Sequence, residues 1–419
     1  MKKSNNISKL IMFFSLLVSL TACGGGNTDN GTKPSALAGE YDLTIWVSEV
    51  AGVKEKTQEQ IDAFEAANPG VVINATVEGV GEGDAATQVL LDVASAPDLF
   101  CFAQDQLTRL VQANALAKLG QGTSATVKEL NDAGSIKAAS VAGDLYAFPL
   151  TSDNGYFMYY DKSVISEDIV GDLDAIVAAC EAAKKNISYE LENGWYTASF
   201  FFATGCKSEW ATDENGEFTA INDTFNSEAG LVAMKAMQKL VKSPSYVNSS
   251  KGADFQAAVP SAVVISGTWD AKVVQEALGA NYGAAKIPSI NVNGTDKPVY
   301  SMFGYKYIGV NAASKFPRAA QMLANYLAGE ECQLQRAETL GWGPSNLKAA
   351  ESDVVKNNAT ISAVIAQSNN SVAQADLADQ FWDPMGNLGN QLIAEKTDPS
   401  DAEFMKTLLN ETIANIQDV

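Results

Sequence analysis

The chain has 419 residues, with 50 acidic and 29 basic side chains, a formal net charge of −21 and no histidine. So acidic a surface offers no footprint for nucleic-acid phosphates. Without histidine there is no Ser-His-Asp or Cys-His catalysis, and the commonest zinc ligand is missing.

Lys2, Lys3 and Lys9 precede a short apolar run from Ile11 to Leu20. Its length reads as the h-region of a signal peptide, not as a spanning helix. It closes on Leu20-Thr21-Ala22-Cys23, which resembles a bacterial lipobox. Residues 1–22 are then a leader, and the acylated Cys23 becomes the new N-terminus. Residues 23–40, rich in Gly, Asn, Thr and Ser, are expected as a flexible tether. These features predict an extracytoplasmic protein held at the cell membrane by a lipidated Cys23. The remaining length is ample for two lobes with separate cores, and no later apolar run is long enough to span a bilayer.

From Leu43 short β-rich runs alternate with amphipathic stretches. Strands are expected at 43–47, 71–77 and 99–102, and helices at 55–67 and about 84–95. This order argues for a mainly parallel sheet with helices on both faces. The pattern breaks at LYAFPL and GYFMYYD, residues 145–161, where two strands follow with few residues between them. A helix over 172–185 then places Leu173, Ile176, Val177 and Cys180 on one face. Further on come a strand at 262–266, a helix at about 268–278, and strands at 282–287 and 305–310. Two helices follow, and the segment from about 351 to the end reads as almost entirely helical. In open α/β sheets ligands sit beyond the carboxyl ends of strands, which directs attention to the loops after Val47, Phe102, Leu150 and Ser266.

Several motifs dissolve on inspection. Gly79, Gly81 and Gly83 form G-x-G-x-G with no Lys or Ser/Thr in a phosphate-loop position, so a turn ahead of a helix capped by Asp84 is expected. TDENG, residues 212–216, lacks the closing glutamate of a calcium loop and reads as a hairpin turn at Asn215-Gly216. Tyr159 and Tyr160 are neighbours on a strand, so their rings should diverge, which argues against an iron-binding pair. Cys101, Cys180, Cys206 and Cys332 contain no C-x-x-C pair, and spacing leaves their pairing open. No cofactor or metal is expected. Asp98, Asp105 and Asp153 lie near strand ends, where a carboxylate pair for glycoside hydrolysis is conceivable, although no spacing singles out an acid and a nucleophile.

The aromatic residues carry more. Phe102 ends a strand, Trp195-Tyr196 follow the Asn193-Gly194 turn, Trp269 follows a Ser-Gly-Thr turn, and Trp382 sits in FWDPMG. Core aromatics belong inside periodic segments, whereas these fall at turns and element ends. Flat apolar faces beside carboxylates and amides match a sugar, with its apolar C–H faces and hydroxyl rim.

At LTIWVSE, APDLFCFAQDQL, GDLYAFPLTSDNGYFMYYDK, NGWYTASFFFATG, VVISGTWDA, YIGVNAAS, GWGPSN and FWDPMGN the chain resembles a known family. These segments, in this order, resemble the extracellular solute-binding lipoproteins of bacterial ABC sugar importers, in particular the maltose/maltodextrin-binding group. The resemblance runs from about Leu43 to the C-terminus. It implies an α/β, two-lobe periplasmic-binding-protein-like fold, each lobe a mainly parallel sheet flanked by helices. Three hinge crossings would lie near 151–154, 299–304 and 343–350. The N-terminal lobe would comprise 41–152 plus 303–345, and the C-terminal lobe 153–302 plus 346–419.

The resemblance further implies that Asp84, Phe102 and Asp105 contact sugar from the first lobe, and Asp153 beside the first crossing. Trp195, Tyr196, Trp269 and Trp382 would do so from the second. Departures matter: Val50-Ala51 replace an Asp-Lys pair of enteric members, Gln106 an arginine and Asn193 a glutamate. The aromatic platform persists while charged hydrogen bonders, the stronger kind, are thinned. The expected partners are an oligosaccharide, the transmembrane subunits of an ABC permease and, through the lipid alone, a membrane, with no nucleic acid and the protein acting as a monomer. A surface-anchored glycan-degrading enzyme using Asp105 and Asp153 is the rival. A binding protein for peptides, metal or another polar solute is a third reading.

Overall fold

A computed structural model describes residues 37–213, 218–377, 379–395 and 401–417. The leader, Cys23 and the Asn215-Gly216 turn expected from the sequence lie outside these residues. Strand β1 (Gly39–Val47) already takes in the last two residues of the expected tether. Helix α1 (Val53–Ala67) buries Val53, Thr57, Gln60, Ile61 and Phe64, the three-to-four spacing of a core-facing stripe. It ends where Asn68 Nδ2 donates to the Phe64 carbonyl at 2.8 Å. Gly70 then turns the chain with φ 87°.

Strand β2 (Val71–Gly79) pairs in parallel with β1 in unbroken register from Gly39↔Val71 to Val47↔Gly79. Helix α2 (Ala85–Leu91) stops short of the expected Ser95, because the Asp92 carboxylate accepts from the Ala94 N–H and the Ser95 hydroxyl and folds a turn. The sheet continues with β3 (Leu99–Ala103) and, after a short hairpin at 140–145, β4 (Ala147–Thr151), both buried throughout.

The chain then enters a second body. It contains β5 (Tyr156–Asp161), α3 (Leu173–Ala183), β6 (Asn186–Ser188) and α4 (Gly194–Ala203). The antiparallel pair β7 (Ser208–Thr212) and β8 (Phe218–Asp223) flanks the TDENG segment. Helix α5 (Glu228–Lys242), β9 (Tyr246–Val247), β10 (Ser261–Gly267) and β11 (Tyr282–Ala285) complete this passage. Strand β12 (Ser301–Phe303) leads back to the first body, which receives β13 (Lys306–Val310), α6 (Pro317–Leu327) and α7 (Glu330–Leu340). The C-terminal part holds β14 (Ser371–Ala373), α8 (Trp382–Glu395) and α9 (Ala402–Gln417).

The first sheet has the order β2-β1-β3-β13-β4 and the second β9-β6-β10-β5-β11. Both are mixed, where mainly parallel sheets were expected. β13 runs antiparallel to β3 and β4, and β5 antiparallel to β10 and β11. The reason is their route: each enters its sheet directly from the other lobe, without the helical crossover that parallel neighbours require. The tail is almost entirely helical as expected, with one short strand, β14, that pairs in parallel with β12.

Two large apolar cores divide the molecule. One runs from Leu37 to Leu150 and resumes from Tyr307 to Trp342. The other runs from Tyr156 to Met302 and resumes from Leu377 to Ile416. Between them the connecting segments lie side by side, Ser152 N–H donating to the Gly343 carbonyl at 2.9 Å and Asn154 N–H to that of Gly304 at 3.2 Å. Tyr159 and Tyr160 do point to opposite faces, into separate cores. Cys101, Cys180, Cys206 and Cys332 are all buried and free, and Cys180 packs with Leu173 and Ile176 on α3. Among the described residues no helix is long and apolar enough to cross a membrane.

Phe102 belongs to this architecture and not to a binding surface. It is fully buried in the first core, with ring centroids 5.7 Å from Phe100 and 5.8 Å from Tyr307. Phe102→Ala is expected to lower stability by about 3–5 kcal/mol, the range for emptying a buried aromatic site. Urea unfolding followed by circular dichroism measures it; a loss below about 1 kcal/mol would contradict the core assignment.

Candidate functional site

A cleft of about 390 Å³ separates the two bodies. Its first wall is made by residues just past strand ends: Ser48 and Glu49 after β1, Glu82 after β2, and Asp105 after β3. That is where an open α/β sheet leaves side chains and backbone groups free to meet a ligand. The opposite wall carries Trp195, Trp269 and Trp382, while Asn154, Lys306 and Gln374 close the floor.

Local sequence fixes the indoles. Asn193 caps α4 by accepting from the Trp195 N–H at 3.0 Å, so Trp195 is held in the first turn. Gly194 follows, and a Cβ there would lie 2.1 Å from the Trp382 carbonyl oxygen. Only glycine lets α4 and the start of α8 approach this closely, which places Trp195 and Trp382 on one wall. Gly267 acts likewise for Trp269, whose ring a Cβ would meet at 2.1 Å. Trp195 and Trp269 have centroids 5.9 Å apart with planes inclined by 40°, and Tyr156 backs Trp195 at 4.8 Å. The result is a set of apolar faces suited to flat, partly apolar ligands.

The polar part is a network. Glu82 accepts from the Ser48 hydroxyl at 3.1 Å and pairs with Lys306 Nζ at 3.4 Å. Lys306, only 5% exposed, also lies 5.4 Å from the Trp269 ring centroid and 5.0 Å from that of Trp342. Gln374 Nε2 donates to Asp105 Oδ1 at 2.9 Å, and its Oε1 accepts from Trp195 Nε1 at 3.1 Å and Asn154 Nδ2 at 3.3 Å. Among the described residues no cluster of three or more Cys, Asp or Glu side chains could hold a metal ion.

Of the residues singled out from sequence, Asp105, Trp195, Trp269 and Trp382 meet in this cleft. Phe102, Tyr196, Asp153 and Asp84 do not line it. Tyr196 is buried against Tyr156 at 4.5 Å, and burial pushes its phenol far above the ordinary range. The aromatic pair implied by the resemblance divides here, since adjacent side chains on a helix diverge by about 100°. Asp84 is exposed and stands at the N-cap position of α2 as expected, without a side-chain capping hydrogen bond. Gln106 serves α2 instead, its Oε1 accepting from the Ala86 N–H at 2.9 Å while its amide donates to the Gly83 carbonyl.

Glu82, Lys306, Asn154 and Gln374 were missed. Glu82 sits in the glycine-rich turn set aside as a cap, yet it follows a strand end. Lys306 was legible as a lone cation inside the apolar run YKYIGV. Gln374 offers no such signal, because it stands in a segment read as helix.

A family model described as bacterial extracellular solute-binding protein matches residues 59–363. The galactooligosaccharide-binding protein of Bacillus subtilis strain 168 is 23% identical over 418 residues, covering 96% of each chain. A solved structure with acarbose aligns at a TM-score of 0.77 and 29% identity, over 90% of this chain and 100% of that one. The maltodextrin-binding protein of L. casei BL23, solved without ligand, aligns at 0.74 and 22% identity, over 90% and 99%. The Thermus thermophilus maltotriose-binding protein, bound with maltotriose, aligns at 0.74 and 18% identity, over the same shares.

Asp153 has a different place from a ligand contact. It is 1% exposed, and its Oδ2 accepts from the Gly343 N–H at 2.6 Å across two connecting segments. The Thr151 and Thr268 hydroxyls lie beside it without meeting hydrogen-bond geometry. Burial raises its pKa, with the Lys306 ammonium pulling the other way. A carboxyl raised on folding contributes stability below its unfolded pKa of about 3.9 and loses it as pH climbs through the folded value. Asp153→Asn, keeping the acceptor for Gly343, is therefore expected to gain melting temperature relative to the parent as pH rises from 4 to 7. A difference between the two that stays constant over this range would contradict the raised pKa.

Proposed function

The chain belongs to the bacterial extracellular solute-binding protein family, and from that premise we propose that it captures an oligosaccharide of the maltodextrin type and delivers it to the permease of an ABC importer. The carrying observation is the convergence of Trp195, Trp269 and Trp382 on one cleft of about 390 Å³ that also bears Asp105, Glu82 and Asn154. A pyranose offers apolar C–H faces to indoles and hydroxyls to carboxylates and amides, which is the chemistry gathered here. Relatives named for galactooligosaccharide, maltodextrin and maltotriose, and one solved with acarbose, support a saccharide. Lys306 is the cation among the described cleft residues, and Glu82 already pairs with it. The other charged groups of the cleft are the carboxylates of Glu49, Glu82 and Asp105, so an acidic ligand would meet like charges, which favours a neutral sugar.

In this reading the protein is a monomeric, non-enzymatic receptor, tethered to the cell membrane by an acylated Cys23. Asp105 hydrogen-bonds sugar hydroxyls, the three indoles stack on sugar rings, and the connecting segments act as the hinge on which the lobes close. The glycan-degrading alternative asks Asp105 and Asp153 to share a substrate, yet Asp153 is sealed behind Gly343.

Titration with maltotriose is expected to change intrinsic tryptophan fluorescence saturably, and maltodextrin incubated at length with the protein should be recovered uncut. Trp269→Ala or Trp382→Ala should each weaken binding by about 2 kcal/mol, the usual loss for a buried aromatic anchor. A flat titration across neutral oligosaccharides would overturn the saccharide assignment. Shortened chains would favour the enzyme.

A further inference from the structure

Gln374 joins parts of the molecule that belong to different bodies. Asp105 follows β3 of the first body. Trp195 opens α4 of the second, and Asn154 lies in the first connecting segment. The orientation of the amide is dictated by its partners: an indole N–H only donates and a carboxylate only accepts, so Oε1 must face Trp195 and Nε2 must face Asp105. The side chain is 3% exposed. It is wedged against the connecting segment, because a Cβ on Gly304 would come within 2.8 Å of the Gln374 Cδ.

We propose that Gln374 is a positioning residue that ties the two lobes together before ligand arrives and aims the Asp105 carboxylate and the Trp195 indole into the cleft. The first half concerns the free protein alone; the second rests on the functional reading above. The tie includes a hydrogen bond to a charged acceptor, of the stronger class. Losing its amide would remove the hydrogen bonds to Trp195 Nε1 and Asp105 Oδ1 and shift the lobes toward an open arrangement.

Small-angle scattering of the ligand-free protein separates the two halves. Gln374→Glu places a carboxylate against Asp105 and should enlarge the radius of gyration. Gln374→Leu, which removes the amide without repulsion, should enlarge it less. Asp105→Asn combined with Gln374→Glu restores a donor–acceptor pair and should return the radius to the parent value, a rescue that a merely space-filling role would not give. Retained circular dichroism spectra and melting transitions establish that each variant is folded. Parental scattering from both single variants, or no return in the double variant, would overturn the tie. For the second half, Gln374→Leu should weaken maltotriose binding about tenfold or more, as for the loss of a charged hydrogen bond. Unchanged affinity would remove the aiming role. Absence of binding by the parent to maltotriose and to the other neutral oligosaccharides would sink the sugar assignment while leaving the scattering result to judge the tie.

Discussion

The buried ammonium of Lys306 is the constraint on which the cleft depends. A cation held in the interior is strongly unfavourable unless its surroundings replace water. Here Glu82 lies 3.4 Å away, and the ring centroids of Trp269 and Trp342 lie at 5.4 and 5.0 Å. Glu82 is in turn held by Ser48 at 3.1 Å. Satisfying one charge therefore draws together the ends of β1 and β2, the start of β13, the segment after α7 and, from the other body, the turn after β10. The same burial acts on neighbours: with Glu82 nearby, it pushes the Cys101 thiol up to about 12. That thiol stays protonated and is a packing group, not a nucleophile.

Against this polar floor stands an aromatic wall set by backbone proximity. The approach of α4 to Trp382 is open only to glycine at 194, and Trp269 lies over Gly267 for the same reason. The two halves of the cleft thus arise from different physics. One is a charge network reaching across both bodies, the other a set of rings locked by the absence of side chains beneath them. Gln374 joins them, touching Asp105 on one side and Trp195 on the other.

Much of this was legible from residues. The alternation of β-rich and amphipathic runs placed the strands, and the short link after Leu150 marked the passage to a second body. Sheet direction was misjudged because β5 and β13 arrive from the other lobe, a long-range fact that local periodicity does not carry. Trp195, Trp269 and Trp382 stand at element ends, and the structure lines the cleft with them. Phe102 looked equivalent, yet β3 is a central strand and its last turnward ring faces the core. Tyr196 lies beside Trp195 on the helix but turns into the core against Tyr156. Asp153 was correctly set beside a crossing, but its carboxylate bonds to the neighbouring segment and not outward. Gln374 was invisible, since its meaning comes from partners 269 and 179 positions away.

The central claim is that three indoles from separate segments of the second body receive one sugar opposite Asp105. The most direct measurement is a crystal structure of the protein grown with saturating maltotriose. The account predicts glucose rings stacked on Trp195, Trp269 and Trp382, with a hydroxyl on Asp105 and both lobes in contact with the ligand. Sugar bound elsewhere, or a cleft holding only solvent while the solution titration saturates, would contradict it.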